Sequence, residues 1–113
     1  MKAAGIIPAR YNSSRFKGKV LEKIKGKPLL WYVFQRANEA KLLDEIIIAT
    51  DDKRIRRVAE GFGAKVEMTN SDLATGTDRI AQVAEGLHSD VIVNIQGDEP
   101  LIHPPLIDEL IQK

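Results

Sequence analysis

The chain of 113 residues contains no cysteine, which excludes disulfide bonds, a thiol nucleophile and cysteine-ligated metal sites. Aromatic residues make up only 5% of the sequence, and the net charge is only +1. Both features argue against a nucleic-acid-binding surface, which combines stacking aromatics with strong positive charge. No apolar run approaches the ~18 residues of a membrane-spanning helix, and the N-terminal apolar run is too short for a signal peptide. We therefore expect one domain with a single core, no membrane partner and a cytoplasmic location.

Several common catalytic motifs are also missing. No Gly-x-x-x-x-Gly-Lys-Ser/Thr segment occurs, and no Gly-x-Gly-x-x-Gly segment follows the first apolar run. No serine lies in a nucleophile-elbow pattern, and His88 and His103 have no third ligand at zinc-type spacing. These absences argue against a P-loop NTPase, a dinucleotide-binding domain, an α/β-hydrolase and a zinc enzyme.

Apolar runs and helical periodicities alternate along the chain. The isoleucines at 46–48 show no polar alternation, which indicates a strand buried on both faces, as in a parallel sheet. The patterns predict four strands, at 3–7, 44–50, 65–68 and 90–96. They predict four helices: one at 28–41, one capped by Asp51 or Asp52, one capped by Thr75 or Thr77, and one from Pro104 or Pro105. This order predicts an α/β fold with a doubly wound, mainly parallel sheet and helices on both faces.

Positive charge is concentrated near the N-terminus. The first thirty residues hold eight Lys or Arg and one acid, whereas the rest holds nine against fifteen acids. The first strand ends at Pro8, which cannot donate to a central ladder, and a loop with small polar and cationic residues follows. Such a loop suits a phosphate group, because its N–H groups and cations both attract anions. The sequence predicts a phosphate site formed by Arg10, Arg15 and Lys19, with Lys17 undecided and Lys23, Lys25 and Lys27 as solvated surface.

Two further polar clusters follow predicted strands. Asp98 lies just past the fourth strand, and its carboxylate is a ligand that Mg²⁺ prefers when phosphates complete the coordination. The segment at 75–79 begins a helix and could hold polar atoms of a base, although an ordinary capped helix is the simpler interpretation. Since ligands of such sheets bind at the carboxyl ends of the strands, we expect Asp98 and the basic loop to form one metal–triphosphate site.

Taken together and in order, these motifs resemble those of the 3-deoxy-manno-octulosonate (Kdo) cytidylyltransferases, also called CMP-Kdo synthetases. The resemblance extends over almost the whole chain, through the segments 6–11, 18–19, 26–29, 48–51, 68–69, 76–79 and 93–100, with Ser13 and Arg15. Acylneuraminate cytidylyltransferases share the basic opening but are less similar around 97–100. The resemblance implies a Rossmann-like nucleotidyltransferase fold. It also implies that residues 1–113 are one N-terminal, CTP-binding domain, truncated to about half of a full-length enzyme.

The same resemblance implies a reaction and a set of site residues. Such enzymes transfer CMP from CTP to Kdo, release pyrophosphate and supply lipopolysaccharide biosynthesis. Catalytic roles fall to the cations that would hold the triphosphate and stabilise charge on the leaving pyrophosphate, namely Arg10, Arg15 and Lys19. Asp98 would be a ligand of Mg²⁺. The remaining nucleotide contacts would come from Pro8, Ala9, Ser13, Thr75, Gly76, Thr77, Asp78 and Gln96.

The chain departs from the family pattern in four respects. Thr75 replaces the family's common serine, which is a mild change, and Asn70 and Leu73 replace residues that are often Arg and His, which weakens the match for base recognition. Lys17 and Val20 stand where the family usually has prolines, which predicts a less rigid loop. The chain also lacks the family's second half. In the family, that half supplies another metal-binding aspartate, most of the sugar site and much of the dimer interface. We therefore expect weak CTP binding and no turnover by this chain alone, with a homodimer or a complementing C-terminal half as partner.

Three alternatives remain open at this point. The acceptor could be another acidic sugar, as in the acylneuraminate enzymes. The chain could instead be a non-catalytic α/β module that associates with itself through Leu106 and Leu110. A general anion or RNA binder is the third alternative, and steep salt dependence without preference for CTP would indicate it.

Overall fold

The computed structural model describes residues 2–13, 16–17, 19–69, 76–87 and 89–95, with the backbone alone at 12–13, 16–17, 19 and 76–78. The predicted final helix lies outside the described residues. The principal strands are β1 (Ala3–Pro8), β6 (Glu45–Thr50), β7 (Lys65–Met68) and β8 (Val91–Asn94). The helices are α1 (Leu29–Asn38), α2 (Lys53–Gly61) and α3 (Gly76–Glu85). Short elements lie between β1 and α1: β2 (Asn12–Ser13), β3 (Phe16–Lys17), a 3₁₀ turn (Lys19–Leu21), β4 (Lys23–Ile24) and β5 (Lys27–Pro28).

The four principal strands form one sheet in the order β7-β6-β1-β8, and every described pair is parallel. Ile6 of β1 lies opposite Ile47 of β6 on one side and Asn94 of β8 on the other. Gly5 allows the sheet to pack closely, since a Cβ at this position would lie 3.0 Å from Cδ1 of Ile95. The predicted α/β fold with a doubly wound, parallel sheet is confirmed.

Helices cover both faces of this sheet, as the uninterrupted isoleucines predict. On one face α1 and α2 bury Val33 and Ile55 against Ile7 and Ile48. On the other face Val83 of α3 belongs to a second cluster, with Ile6, Ile47 and Ala49. Adjacent isoleucines of β6 therefore enter different cores, which explains why polar alternation is absent from this strand.

The first helix is shorter than predicted at both ends. Pro28 is its N-cap rather than part of its first turn, because this residue is extended (φ −65°, ψ 150°) and pairs with Lys23 in the β4–β5 hairpin. The helix ends at Asn38 instead of Lys41, and the N–H of Glu39 donates back to the Arg36 carbonyl. The second helix begins as predicted, since Asp52 caps it, and it ends at Gly61. No described helix has the length and apolar character needed to cross a membrane.

The β4–β5 hairpin contains the one non-glycine residue with positive φ in the described part of the chain. Lys25 has φ 53° and Gly26 has φ 85°, the pair of left-handed residues that a type I′ turn requires. Glycine adopts this conformation without strain, but lysine does not. Lys23, Lys25 and Lys27 are exposed or at the hairpin surface, as predicted.

Replacing Lys25 with asparagine should stabilise the protein, because asparagine tolerates the left-handed region and is preferred before glycine in such turns. We expect the free energy of unfolding to rise by about 0.5–1 kcal/mol, measured by urea denaturation. Lys23→Asn, in the extended strand of the same hairpin, is the matched control and should not stabilise. A Lys25→Asn variant with an unchanged or lower denaturation midpoint would contradict the strain argument.

Candidate functional site

The candidate site lies at the carboxyl edge of the sheet, between β1 and β8. From β1 the chain proceeds to β6 and β7 on one side of the sheet and then returns to place β8 on the other side. The boundary between β1 and β8 is therefore the topological switch point of the sheet, the place where ligands of such folds bind. Arg10 follows β1 here, and Asn94 and Ile95 lead β8 to the same edge.

Pro8 ends the β1–β8 ladder at this edge. The N–H of Ile95 donates to the Ile6 carbonyl at 3.0 Å, so the next bond between the strands would need an N–H at position 8. Proline has no N–H, and β1 donates nothing to the Ile95 carbonyl. On the opposite side the ladder continues, since the N–H of Ala9 donates to the Ala49 carbonyl at 2.9 Å. The segment that carries Arg10 thus stays on β6 and separates from β8.

A stack of charged and aromatic side chains connects this segment to α2. The guanidinium carbon of Arg54 lies 3.4 Å from the centroid of the Tyr11 ring. Asp52 holds the same guanidinium through two contacts, Nη2 to Oδ2 at 2.7 Å and Nε to Oδ1 at 3.2 Å. Oδ1 of Asp52 also accepts the backbone N–H groups of Arg54 and Ile55. The hydrogen bond from the Arg54 side chain is the main cause that lowers the pKa of Asp52, and partial burial opposes it.

A buried arginine connects the ends of β6 and β7 with α3. Arg79 is 1% exposed, and its Nη1 donates to Oγ1 of Thr69 and lies 3.6 Å from Oδ1 of Asp51. Among the described residues its Nε has no hydrogen-bond partner. The N–H of Thr69 donates to the Thr50 carbonyl, so the three segments meet at the carboxyl edge. Arg79 therefore fixes the first turn of α3, which contains the predicted nucleoside-binding residues Gly76, Thr77 and Asp78.

The structure locates part of the predicted site. Pro8, Ala9 and Arg10 lie together at the end of β1, with Ala9 buried and Arg10 partly exposed. Ser13 lies in β2 and Lys19 in the 3₁₀ turn, and their side chains are outside the described part. Of the two predicted caps of α3, Thr77 is excluded because the helix already begins at Gly76, and Thr75 lies outside the described residues. The predicted residues that lie outside the described ranges are Arg15, Thr75, Gln96 and Asp98.

Sequence reasoning missed the residues that hold these segments in place. Tyr11 and Arg54 are 43 positions apart, and no local pattern relates them. A signal for Arg79 did exist, because it lies four residues before the buried Val83 and so belongs to the inner face of α3. An arginine on the inner face of a helix needs a polar partner in the core, which Thr69 and Asp51 provide.

The carboxylates described at this edge are engaged in ion pairs. Asp52 holds Arg54, and Asp51 faces Arg79. Within the described ranges, no group of three His, Cys, Asp or Glu side chains is arranged to hold a metal ion. Asp98, the predicted Mg²⁺ ligand, lies outside the described residues, so its role stays a prediction.

A second concave surface, here called the hairpin groove, lies between the β4–β5 hairpin, α1 and α2. It encloses about 340 Å³ and is lined by Leu21, Lys23, Gly26, Lys27, Pro28, Trp31, Val58, Gly61 and Phe62. The Trp31 ring contacts Tyr32 edge-on, with centroids 4.9 Å apart, and Nζ of Lys27 lies 5.4 Å from its centroid. These contacts give Trp31 a packing role on the wall of the groove.

Removing the carboxylate of Asp51 should destabilise the protein, because it leaves the Arg79 guanidinium buried with Thr69 as its neutral partner. We expect Asp51→Ala to lower the free energy of unfolding by about 2–3 kcal/mol, less than for a fully buried pair because Asp51 is 24% exposed. Glu45→Ala is the matched control, since it breaks an exposed pair with Lys65 in the same sheet and should cost about 0–1 kcal/mol. Equal losses in the two variants would contradict a role for charge burial at Arg79.

Comparison with known proteins places these features in one family. A profile of the cytidylyltransferase family matches residues 4–113. The 3-deoxy-manno-octulosonate cytidylyltransferase of Geotalea daltonii is 55% identical over 98% of this chain and 44% of its own length. The same enzyme of Bdellovibrio bacteriovorus is 52% identical over 99% of this chain and 45% of its own length. The chain thus spans less than half the length of these relatives.

Solved structures show the same fold. A CMP:2-keto-3-deoxy-manno-octonic acid synthetase in complex with CTP superposes with a TM-score of 0.95 at 43% identity, over 99% of this chain and 46% of the other. A cytidylyltransferase from Leptospira borgpetersenii superposes with a TM-score of 0.85 at 23% identity, over 99% and 48% of the two chains, and supports the fold alone. The predicted family and Rossmann-like nucleotidyltransferase fold are confirmed, and the chain belongs to the cytidylyltransferase family.

Proposed function

We propose that this chain is the CTP-binding, N-terminal half of a CMP-Kdo synthetase. The observation that carries the proposal is the strand order β7-β6-β1-β8. It puts the switch point between β1, which precedes Arg10 in the sequence, and β8, which precedes Asp98. A basic loop and a carboxylate from these two strands suit a metal–triphosphate group. The likeness to Kdo cytidylyltransferases and to a CTP-bound synthetase supports cytidine as the base.

The proposed roles of the residues follow from their positions. Arg10 is held at the end of β1 by the Ala9 hydrogen bond, and we assign the triphosphate to Arg10 with Ser13, Arg15 and Lys19 of the adjoining loop. These cations stabilise the negative charge that develops on pyrophosphate as it leaves, which is the main electrostatic demand of the reaction. Gln96 and the turn formed by Thr75, Gly76, Thr77 and Asp78 are assigned to the nucleoside, together with main-chain groups of Pro8 and Ala9.

Asp98 is the proposed protein ligand of Mg²⁺, and Glu99 beside it is a second carboxylate. When bound, Mg²⁺ neutralises phosphate charge and orients the α-phosphate for attack by a sugar hydroxyl. Asp51 and Asp52 are unsuited to this task because each already faces an arginine. This assignment leaves the ion pairs that fix the edge of the sheet intact.

Kdo is the proposed acceptor, which connects the protein with lipopolysaccharide biosynthesis, and the likeness to Kdo enzymes favours it over other acidic sugars. We place the reaction in the cytoplasm, where CTP is available. Because the chain spans 44–45% of the length of these relatives, we assign the sugar-binding groups to the half of the family's length that this sequence does not cover, whether it continues this chain or comes from a partner, either a complementing C-terminal half or a second copy.

Calorimetric titration with CTP and Mg²⁺ tests the binding part of this proposal. We expect CTP to bind, ATP to bind more weakly, and Asp98→Asn to weaken CTP binding about tenfold or more, as changes around metal sites generally do. Glu85→Gln, at the exposed far end of α3, is the matched control for the loss of one carboxylate and should leave binding unchanged. A CTP affinity that is the same without Mg²⁺ and in the Asp98→Asn variant would contradict the assignment of the metal.

A pyrophosphate-release assay with CTP, Kdo and Mg²⁺ tests the assignment of the missing half. We expect no turnover by the 113-residue chain alone, because positioning of the acceptor supplies much of the rate in such reactions. Adding the C-terminal portion of a Kdo cytidylyltransferase as a separate chain should restore release. Release by the isolated chain at the rate of a full-length enzyme would contradict the proposal.

A further inference from the structure

We propose that Arg54 is a positioning residue for Arg10, and that it acts by stacking on Tyr11. The inference deepens the proposed function, because it explains how a loop cation is held ready for phosphate. Arg54 itself does not contact the nucleotide in this proposal. Its effect passes through the backbone of the segment that follows β1.

Arg10 is located between two anchors. On its N-terminal side, Ala9 is 1% exposed and its N–H donates to the Ala49 carbonyl of β6 at 2.9 Å. On its C-terminal side, Tyr11 packs against the larger core cluster, and its ring centroid lies 3.4 Å from the guanidinium carbon of Arg54. Because both neighbours are fixed, the backbone of Arg10 has little freedom, although its side chain is partly exposed.

The second anchor is rigid because Arg54 is itself held. Two contacts with Asp52 fix the plane of the guanidinium, and a planar group held in this way can lie flat on an aromatic ring. Asp52 is fixed in turn, since it caps α2 and its own N–H donates to Oγ1 of the fully buried Thr50 at 3.2 Å. The end of β6 is thereby coupled to the loop after β1 through consecutive side-chain contacts.

The charge of Arg54 is a poor explanation for its position. Asp52 neutralises it through an ion pair of 2.7 Å, so the pair adds little net potential at the phosphate site. A lysine could still pair with Asp52 but could not stack as a plane on Tyr11. The Arg54→Lys variant therefore preserves charge and removes the stack, which separates the two explanations.

Arg56→Lys provides the matched control. Arg56 is also on α2 and is also paired with a carboxylate, Glu60 at 3.4 Å, but it faces solvent instead of the loop. Tyr11→Leu removes the ring from the other side of the stack while keeping an apolar side chain against the core. Each variant is examined by thermal unfolding, by calorimetry with CTP and Mg²⁺, and by hydrogen exchange of peptides that cover 9–13.

We expect Arg54→Lys to weaken CTP binding about two- to fivefold, the range for an exposed cation–π contact, and to accelerate exchange at 9–13. Arg56→Lys should do neither, and the two variants should unfold at similar temperatures. Since Tyr11→Leu breaks the same contact, the double variant with Arg54→Lys should lose no more affinity than the greater of the single losses. Equal CTP affinity in Arg54→Lys and Arg56→Lys, or additive losses in the double variant, would overturn the inference.

Failure of the proposed function gives a different result. If the unsubstituted chain does not bind CTP with Mg²⁺, the proposed function is contradicted, and exchange at 9–13 then decides whether the stack anchors this segment. Faster exchange in Arg54→Lys and Tyr11→Leu but not in Arg56→Lys supports the anchor. Unchanged exchange in the first two variants overturns it.

Discussion

The pairing of β1 with neighbours on both sides is the constraint on which the remaining structure depends. β1 is central, and its main-chain bonds reach β6 as far as Ala9 but stop three residues earlier, at Ile6, toward β8. The difference comes from Pro8, which lacks an N–H on the side that faces β8. One strand thus stabilises the sheet and also ends its pairing with β8 at the carboxyl edge, where the candidate site lies.

At the carboxyl edge of the sheet, charged side chains hold segments that are not joined to the sheet by strand hydrogen bonds. Arg79 connects α3 to the ends of β6 and β7, and Arg54 connects α2 to the loop after β1. Each arginine is paired with one of two consecutive aspartates, Asp51 and Asp52. The short segment that follows β6 therefore organises both faces of the sheet edge, and in the proposed function it does so without touching the nucleotide.

The fold was predictable where the signal is local. Ile46–Ile48 indicate a strand between two cores, and the sequence narrows the cap of α2 to Asp51 or Asp52, because capping depends on residues two and three positions away; Asp52 is the cap. Pro28 was misplaced because the same residue suits both a helix start and the β4–β5 hairpin. The Tyr11–Arg54 stack could not be predicted, since it depends on β1 lying beside β6. For the site, the sequence predicts Arg10 directly after β1 but not Tyr11 and Arg54, which hold the adjoining segment.

Mapping of CTP–Mg²⁺ binding onto the backbone amides by heteronuclear NMR tests the central claim most directly. The account predicts that chemical-shift changes cluster at the carboxyl edge, at Ala9–Tyr11, at Thr50–Asp52 and at the end of β8, while the amino ends of the strands stay unchanged. Changes concentrated in the hairpin groove around Trp31, or spread evenly over the basic surface, would contradict it.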